Sequence, residues 1–382
     1  METILITGGT GFLGSSLVRR LARGDYRLIL LVRNRDILEG GGLEKLLAEE
    51  GDGARVPSGS IKVVKGDITL PCLGLDSKEF SKLAGEVDTI LHCAALTDFG
   101  NRDALMHTNV TGTKHILDFA VIQRLKRYHH ISSAYVVGKG MSHGGKISNA
   151  REFNNAYEET KFIGESLVNK YASFFQLPAT IYRPSTIIGN SRSGYTKVFK
   201  GMYSFAKALH SVSRYVRNES FRIFGDSEAT VNLVPIDYVS DSILAIADNK
   251  RSIKKTFNIT NPNPPTLFQL NTKIANALGI KAPEIVPLTN QFTLNSLERL
   301  YLSYMRPYLP YAQNKLYFDF SNTQELLAET DIVCPRISQR LISLLINFAI
   351  ADNWGNKAEK REPALAGADR CRDRRYLKGL HT

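Results

Sequence analysis

A tyrosine four residues ahead of a lysine on a helix places a phenol and an ammonium one turn apart on the same face. The positive charge lowers the pKa of a nearby phenol, and such a phenol can give or take the proton that accompanies hydride transfer. Four pairs have this spacing: Tyr135/Lys139, Tyr157/Lys161, Tyr203/Lys207 and Tyr311/Lys315. Gly138 interrupts the first, the third lies in a basic stretch, and the fourth follows Pro310 in an aromatic segment. Only Tyr157 opens a long amphipathic pattern, over residues 157–171, directly ahead of the next strand-like run. It alone also has a partner upstream. Ser133 ends the run His129-His-Ile-Ser-Ser, and a hydroxyl at a strand end can hydrogen-bond a carbonyl oxygen as it becomes an oxyanion. Ser133, Tyr157 and Lys161 are therefore the candidate catalytic unit.

A second motif supplies a place for a redox partner. Gly9, Gly11 and Gly14 form a G-x-G-x-x-G turn after the apolar run 4–6, and residues 15–22 continue as a helix. Small residues there let a pyrophosphate approach the free N–H groups of a helix N-terminus, whose dipole favours negative charge. Gly8, Gly9, Thr10, Gly11, Phe12, Leu13 and Gly14 are thus the expected cradle of a dinucleotide. The next strand ends Leu31-Val-Arg-Asn-Arg35. A carboxylate near this point would bond the ribose 2′-hydroxyl of NAD(H), and Asp36 is the candidate for that role. Arg33 and Arg35 instead suit a 2′-phosphate, which predicts NADP(H) over NAD(H).

Short apolar runs at 4–6, 28–32, 61–64, 89–92, 129–132 and 179–182 alternate with helical patterns, and another run lies at 257–259. Continuous apolar strands separated by helices indicate parallel strands covered on both faces. The expected fold is α/β: a Rossmann-type doubly wound parallel sheet with a smaller, mostly helical C-terminal substrate-binding region. Residues 1–184 form the NADP(H)-binding domain, with 229–260 returning to it. Residues 185–228 and 261–350 form the substrate-binding region, and 351–382 a disordered tail. The aromatic segment around Tyr301, Tyr304, Tyr308, Tyr311, Tyr317, Phe318 and Phe320 is expected as core, or as the wall of an acyl channel. Residues 337–350 read as a packed helix, with peripheral membrane contact the lesser alternative.

With 382 residues, 43% hydrophobic and 23% charged, the chain is neither a disordered nor a disulfide-scaffold protein. Its longest apolar runs fall short of the roughly 18–20 residues that span a bilayer, so no transmembrane segment is expected. Met1 leads at once into a strand pattern, so no signal peptide is expected either. Cys72, Cys93, Cys334 and Cys371 are dispersed, which fits a reducing, cytoplasmic setting. His92 and Cys93 read as packed core, and His129 and His130 as neighbours on opposite faces of a strand, so no metal site is expected. The net charge of +12 concentrates in residues 197–222, where Lys197, Lys200, Lys207, Arg214, Arg217 and Arg222 face one acid, Glu219, and again in the tail. Without a stacking module this speaks against nucleic acid and for a phosphate-bearing or acidic partner.

The turn Thr7-Gly-Gly-Thr-Gly-Phe-Leu-Gly14, Gly66-Asp-Ile68, His92-Cys-Ala-Ala95, Asn109-Val-Thr-Gly-Thr113, Ser133-Ala134, Tyr157 with Lys161, and Arg183-Pro-Ser185 resemble the extended short-chain dehydrogenase/reductases in order and spacing, over residues 1–260. Within that superfamily the chain looks most like the fatty acyl-CoA reductases and thioester reductase domains. The resemblance implies that Asp67 and Ile68 contact the adenine, Ala94 and Ala95 line the cofactor strand, Asn109 supports the active-site helix and Pro184 flanks the nicotinamide. It implies a reductase taking a small-molecule or carrier-bound acyl thioester to an aldehyde or alcohol. The basic stretch would then meet coenzyme A phosphates or an acidic carrier protein. A sugar-nucleotide epimerase or dehydratase, a hydroxysteroid-type dehydrogenase, and a nonenzymatic NADP(H) sensor are the alternatives on the same scaffold.

Overall fold

The structure is a computed structural model that describes residues 1–33, 42–48, 61–122, 125–138, 152–213, 221–287 and 293–356. Arg35, Asp36, Lys139, Arg214, Arg217, Glu219 and the tail from 357 onward lie outside the described residues.

Eleven strands are present among them: β1 (Glu2–Thr7), β2 (Tyr26–Val32), β3 (Ile61–Lys65), β4 (Thr89–His92), β5 (Arg127–Ile131), β6 (Ala179–Pro184), β7 (Thr186–Ile188), β8 (Arg222–Phe224), β9 (Leu233–Pro235), β10 (Thr256–Ile259) and β11 (Glu284–Val286). Seven of them build one sheet in the order β10-β6-β5-β4-β1-β2-β3, and every pairing in it is parallel. The doubly wound sheet expected from the sequence is therefore the fold. Alternation along β1 shows why it is stable. Ile4 and Ile6 enter one apolar cluster and Leu5 the opposite one, because successive side chains point to opposite faces and both faces carry helices. Strand order reverses between β1 and β4, and ligands bind at the carboxyl ends of the strands at such a switch point.

The region beyond β6 is mostly helical, with two small parallel pairs that the sequence pattern does not reveal, β7 with β9 and β8 with β11. Its core gathers Tyr203, Phe205, Leu209, Tyr301, Ile342 and Leu345. The amphipathic run near the end forms the helix Gln339–Ala351, capped by Ser338, with Leu341, Ile342, Leu345, Ile346 and Ala349 buried. Its apolar face is thus spent inside the protein. Residues 351–356, assigned above to the tail, belong instead to the fold, because Trp354 is buried and its indole nitrogen donates to His210 Nδ1 at 3.2 Å. No helix among the described residues is long and apolar enough to cross a membrane.

Candidate active site

The glycine turn lies directly after β1. Gly8 has φ +69°, and a Cβ there would stand 2.6 Å from the backbone nitrogen of Ala94, so this position requires glycine. The turn closes through Gly11 N–H to Gly8 O at 3.0 Å and feeds the helix Phe12–Leu21, which has no side-chain cap and no acid in its first turn. That uncapped N-terminus fits a pyrophosphate. Thr10, Phe12 and Leu13 are partly exposed around it, and Gly9 and Gly14 are buried against the strand. Ala94 and Ala95 lie partly exposed after β4, facing the turn from the neighbouring strand. Arg33 is exposed at the end of β2.

The Gly66-Asp-Ile68 corner follows β3. One carboxylate oxygen of Asp67 accepts both the backbone N–H and the hydroxyl of Thr69 at 2.8 Å. Ile68 is buried, and a Cβ on Gly112 would meet its side chain at 2.8 Å. Much of this corner therefore locks β3 to the helix Gly112–Ile122. Pro184 is buried at the end of β6.

Ser133 sits just beyond β5 and is buried. Tyr157 and Lys161 lie one turn apart on the helix Ala156–Phe174, whose N-terminus is capped by Asn155 accepting from Glu158 N–H at 3.1 Å. The fold sets Tyr157 close enough to Ser133 for that hydroxyl to act on the phenol's titration. Lys161 is buried and its Nζ donates to Ile131 O at 2.5 Å. Burial holds Lys161 down to about 8, opposed by the nearby Glu165 carboxylate. The sequence expectation that Lys161 lowers the Tyr157 phenol does not hold. Burial pushes Tyr157 up to about 12, with Ser133 acting to lower it and Glu158 to raise it, because desolvation of the phenolate outweighs the favourable influence of Ser133.

Asn109 lies in a π-helical turn, Met106–Thr111, and is buried. Its Oδ1 accepts from Leu96 N–H at 2.8 Å, and its Nδ2 donates to Leu96 O at 3.0 Å and to Thr160 Oγ1 at 3.2 Å. It thereby ties the loop after β4 to the helix carrying Tyr157 and Lys161. Gly164 permits that approach, since a Cβ there would be 2.9 Å from Asn109 O. Beneath Lys161 the helix is fastened to the sheet by a buried pair: Arg183 Nε donates to Glu165 Oε2 at 3.0 Å, its Nη2 reaches Glu165 Oε1, and Ser132 Oγ donates to Glu165 at 2.6 Å.

Several neighbours of the site carry no motif. Phe99 packs between Tyr157 (ring centroids 6.0 Å) and Tyr308 (5.7 Å). Tyr135 bonds Thr186 Oγ1 at 3.1 Å and lies edge-on to Tyr311 and Phe318 at 5.3 and 5.4 Å. The aromatic segment accordingly divides: Tyr301 is core, Tyr308 and Tyr311 reach the site, and Tyr317 is exposed. The signal in the sequence was only its aromatic density. A recess of about 530 Å³ opens beside this wall between Asn154, Arg306, Leu309 and Asn314.

His92 is buried with its ring nitrogens paired to the hydroxyls of Thr7 and Thr113 at 2.7 and 3.1 Å, and burial depresses it to about 3. His129 bonds Tyr182 on the opposite face from His130. The basic stretch is less available than its composition suggests. Arg222 pairs with the buried Glu298 at 2.7 Å, Lys200 donates to Thr97 O at 3.1 Å, and the helix Met202–Ser213 is largely buried.

Residues 6–243 match the family model described as male sterility protein, an NAD-binding family. The chain belongs to this family. It is 26% identical to a linear gramicidin synthase component of Brevibacillus parabrevis, over 91% of this chain but 7% of that protein. It is also 26% identical to the fatty acyl-CoA reductase wat of Drosophila melanogaster, over 67% of this chain and 56% of that one. The chain therefore spans about half or less of the length of these relatives. Among solved structures, the terminal R domain from the myxalamid PKS-NRPS biosynthetic pathway superposes with a TM-score of 0.77 and 26% identity, covering 93% of this chain and 92% of that domain. The resemblance to the extended short-chain dehydrogenase/reductases, with fatty acyl-CoA reductases and thioester reductase domains among them, is thereby established, and the chain is a member of an NAD-binding family.

Proposed function

We propose that this protein is an NADPH-dependent reductase of acyl thioesters, acting through Ser133, Tyr157 and Lys161. The observation that carries the reading is Tyr157 one turn ahead of the buried Lys161 on the helix Ala156–Phe174, close to Ser133 at the carboxyl edge of the sheet, two strands from the glycine turn, in a chain of this family. NADPH, when bound, supplies the hydride. Gly8–Gly14 would hold its pyrophosphate and Arg33 its 2′-phosphate, with Arg35 beside it. Ser133 and Tyr157 donate hydrogen bonds to the thioester carbonyl oxygen as charge develops there. A phenol held up to about 12 stays protonated at neutral pH, which is the state a reduction needs. Lys161 supplies positive charge behind the site, and Asn109 holds the helix that carries it. Collapse of the tetrahedral adduct expels the thiolate and leaves an aldehyde, which a second round would convert to an alcohol.

The acyl group would arrive on coenzyme A or on a carrier protein, delivered from outside the described fold. The test is cofactor absorbance with purified protein and a panel of acyl-CoA and carrier-bound thioesters. NADPH oxidation dependent on the thioester is expected. Oxidation of NADH instead, or turnover of nucleotide sugars without net cofactor consumption, would sink the reading. The ratio of cofactor consumed to thiol released separates aldehyde from alcohol.

A further inference from the structure

The residue after Tyr157 is a carboxylate with no access to solvent. Glu158 is 0% exposed although it sits in the first turn of its helix, where an acid is ordinarily solvated and stabilised by the dipole. A buried carboxylate persists only when its oxygens are bonded. Here Asn154 supplies its backbone N–H at 2.9 Å and its side-chain amide at 3.2 Å. The remaining donor is the phenol of Tyr311, 153 residues further along the chain. Tyr311 in turn accepts from Asn155 Nδ2 at 2.7 Å, so one side chain touches both the cap and the first turn of the helix that carries Tyr157. Tyr311 belongs to the 3-10 segment Arg306–Gln313, and Tyr308 of the same segment packs on Phe99, which packs on Tyr157. The segment thus reaches Tyr157 by two routes, one polar through Glu158 and one aromatic through Phe99.

We propose that Glu158 and Tyr311 form a clasp that seats the Arg306–Gln313 wall on the helix bearing Tyr157 and sets the direction of its phenol, making both of them positioning residues for reduction. This rests on the reading of Tyr157 as proton donor given above. The physical reason is geometric. A donor misplaced by about 1 Å can lose up to about 100-fold in rate, and Tyr157 lies at a helix N-terminus, where backbone is least restrained by helical hydrogen bonds. A buried hydrogen bond from a neighbouring structural unit supplies that restraint.

The experiment compares wild type, Tyr311→Phe, Glu158→Gln and the double variant in steady-state NADPH oxidation. Tyr311→Phe removes one hydroxyl and leaves the ring in contact with Tyr135. A fall in kcat of about tenfold with KM for NADPH unchanged is expected. The double variant should be no slower than Glu158→Gln alone, because both changes open the same clasp. A Tyr311→Phe enzyme within twofold of wild-type kcat, or effects that multiply, would overturn the proposal. Hydrogen exchange separates this from failure of the functional reading. If wild type consumes no NADPH with any thioester, the reading of Tyr157 falls, and the clasp is judged by the amides of residues 156–160. Faster exchange there in Tyr311→Phe supports the clasp, and unchanged exchange refutes it.

Discussion

The two sides of the candidate site are held together differently. Tyr157 and Lys161 ride on one helix, and that helix is bolted to the sheet by the buried Arg183–Glu165 pair and by Asn109. The facing wall comes from Phe99 and, some two hundred residues later, from Tyr308 and Tyr311 of one segment, held by ring contacts and single hydrogen bonds. The sheet side is a scaffold common to many chemistries, so under the proposed function substrate choice would fall to the wall. On that proposal the rigid half performs the proton chemistry and the assembled half selects, and the two should respond differently to mutation.

The largest effect is expected on the rigid side. Tyr157→Phe should lower the rate by about 10²–10⁴-fold while titration with NADPH shows nearly unchanged binding. Retained turnover would move the proton chemistry elsewhere. Next comes the bolt beneath it. Arg183→Met leaves Glu165, 2% exposed, as an uncompensated buried charge and should cost about 3–5 kcal/mol of stability, read by denaturant unfolding. Loss of activity without loss of stability would show that the pair is not structural. Arg33→Ala should weaken NADPH by about tenfold or more and leave NADH unaffected. Equal losses for both cofactors would remove the basis for the NADP(H) preference.

The smallest effect is a pH signature. The folded Lys161 loses its proton near 8, whereas the unfolded chain keeps it to about 10.5. Between these values the unfolded state binds more protons, so this group's contribution to stability rises with pH across the window. Activity that needs the ammonium should fall through the same window, since Tyr157 remains protonated until about 12. Stability and rate moving in opposite directions above pH 8 would identify Lys161, and parallel movement would exclude it.

The correspondence between sequence and structure follows the same division. All seven sheet strands were legible because both-face burial writes itself as continuous apolar runs. The glycine turn was legible because Gly8 and Gly14 answer to backbone crowding, which tolerates few substitutes. The short pairs β7–β9 and β8–β11 were not, since three residues give too little periodicity to detect. The titration of Tyr157 was misjudged for a related reason: an ammonium four residues away can be counted in the sequence, whereas the burial that outweighs it cannot. Arg222 looked like part of a charge patch until Glu298 was found against it.

What this sequence determined unaided is whatever depends on local order along the chain: strand, turn and helix in succession, a phenol and an amine one turn apart, and glycines where backbones must nearly touch. Tertiary structure decided how each group titrates, which cations are spent internally, and that Tyr311 reaches Glu158. Solvent exclusion and contacts between distant segments are properties of the folded volume, and no spacing of letters encodes them.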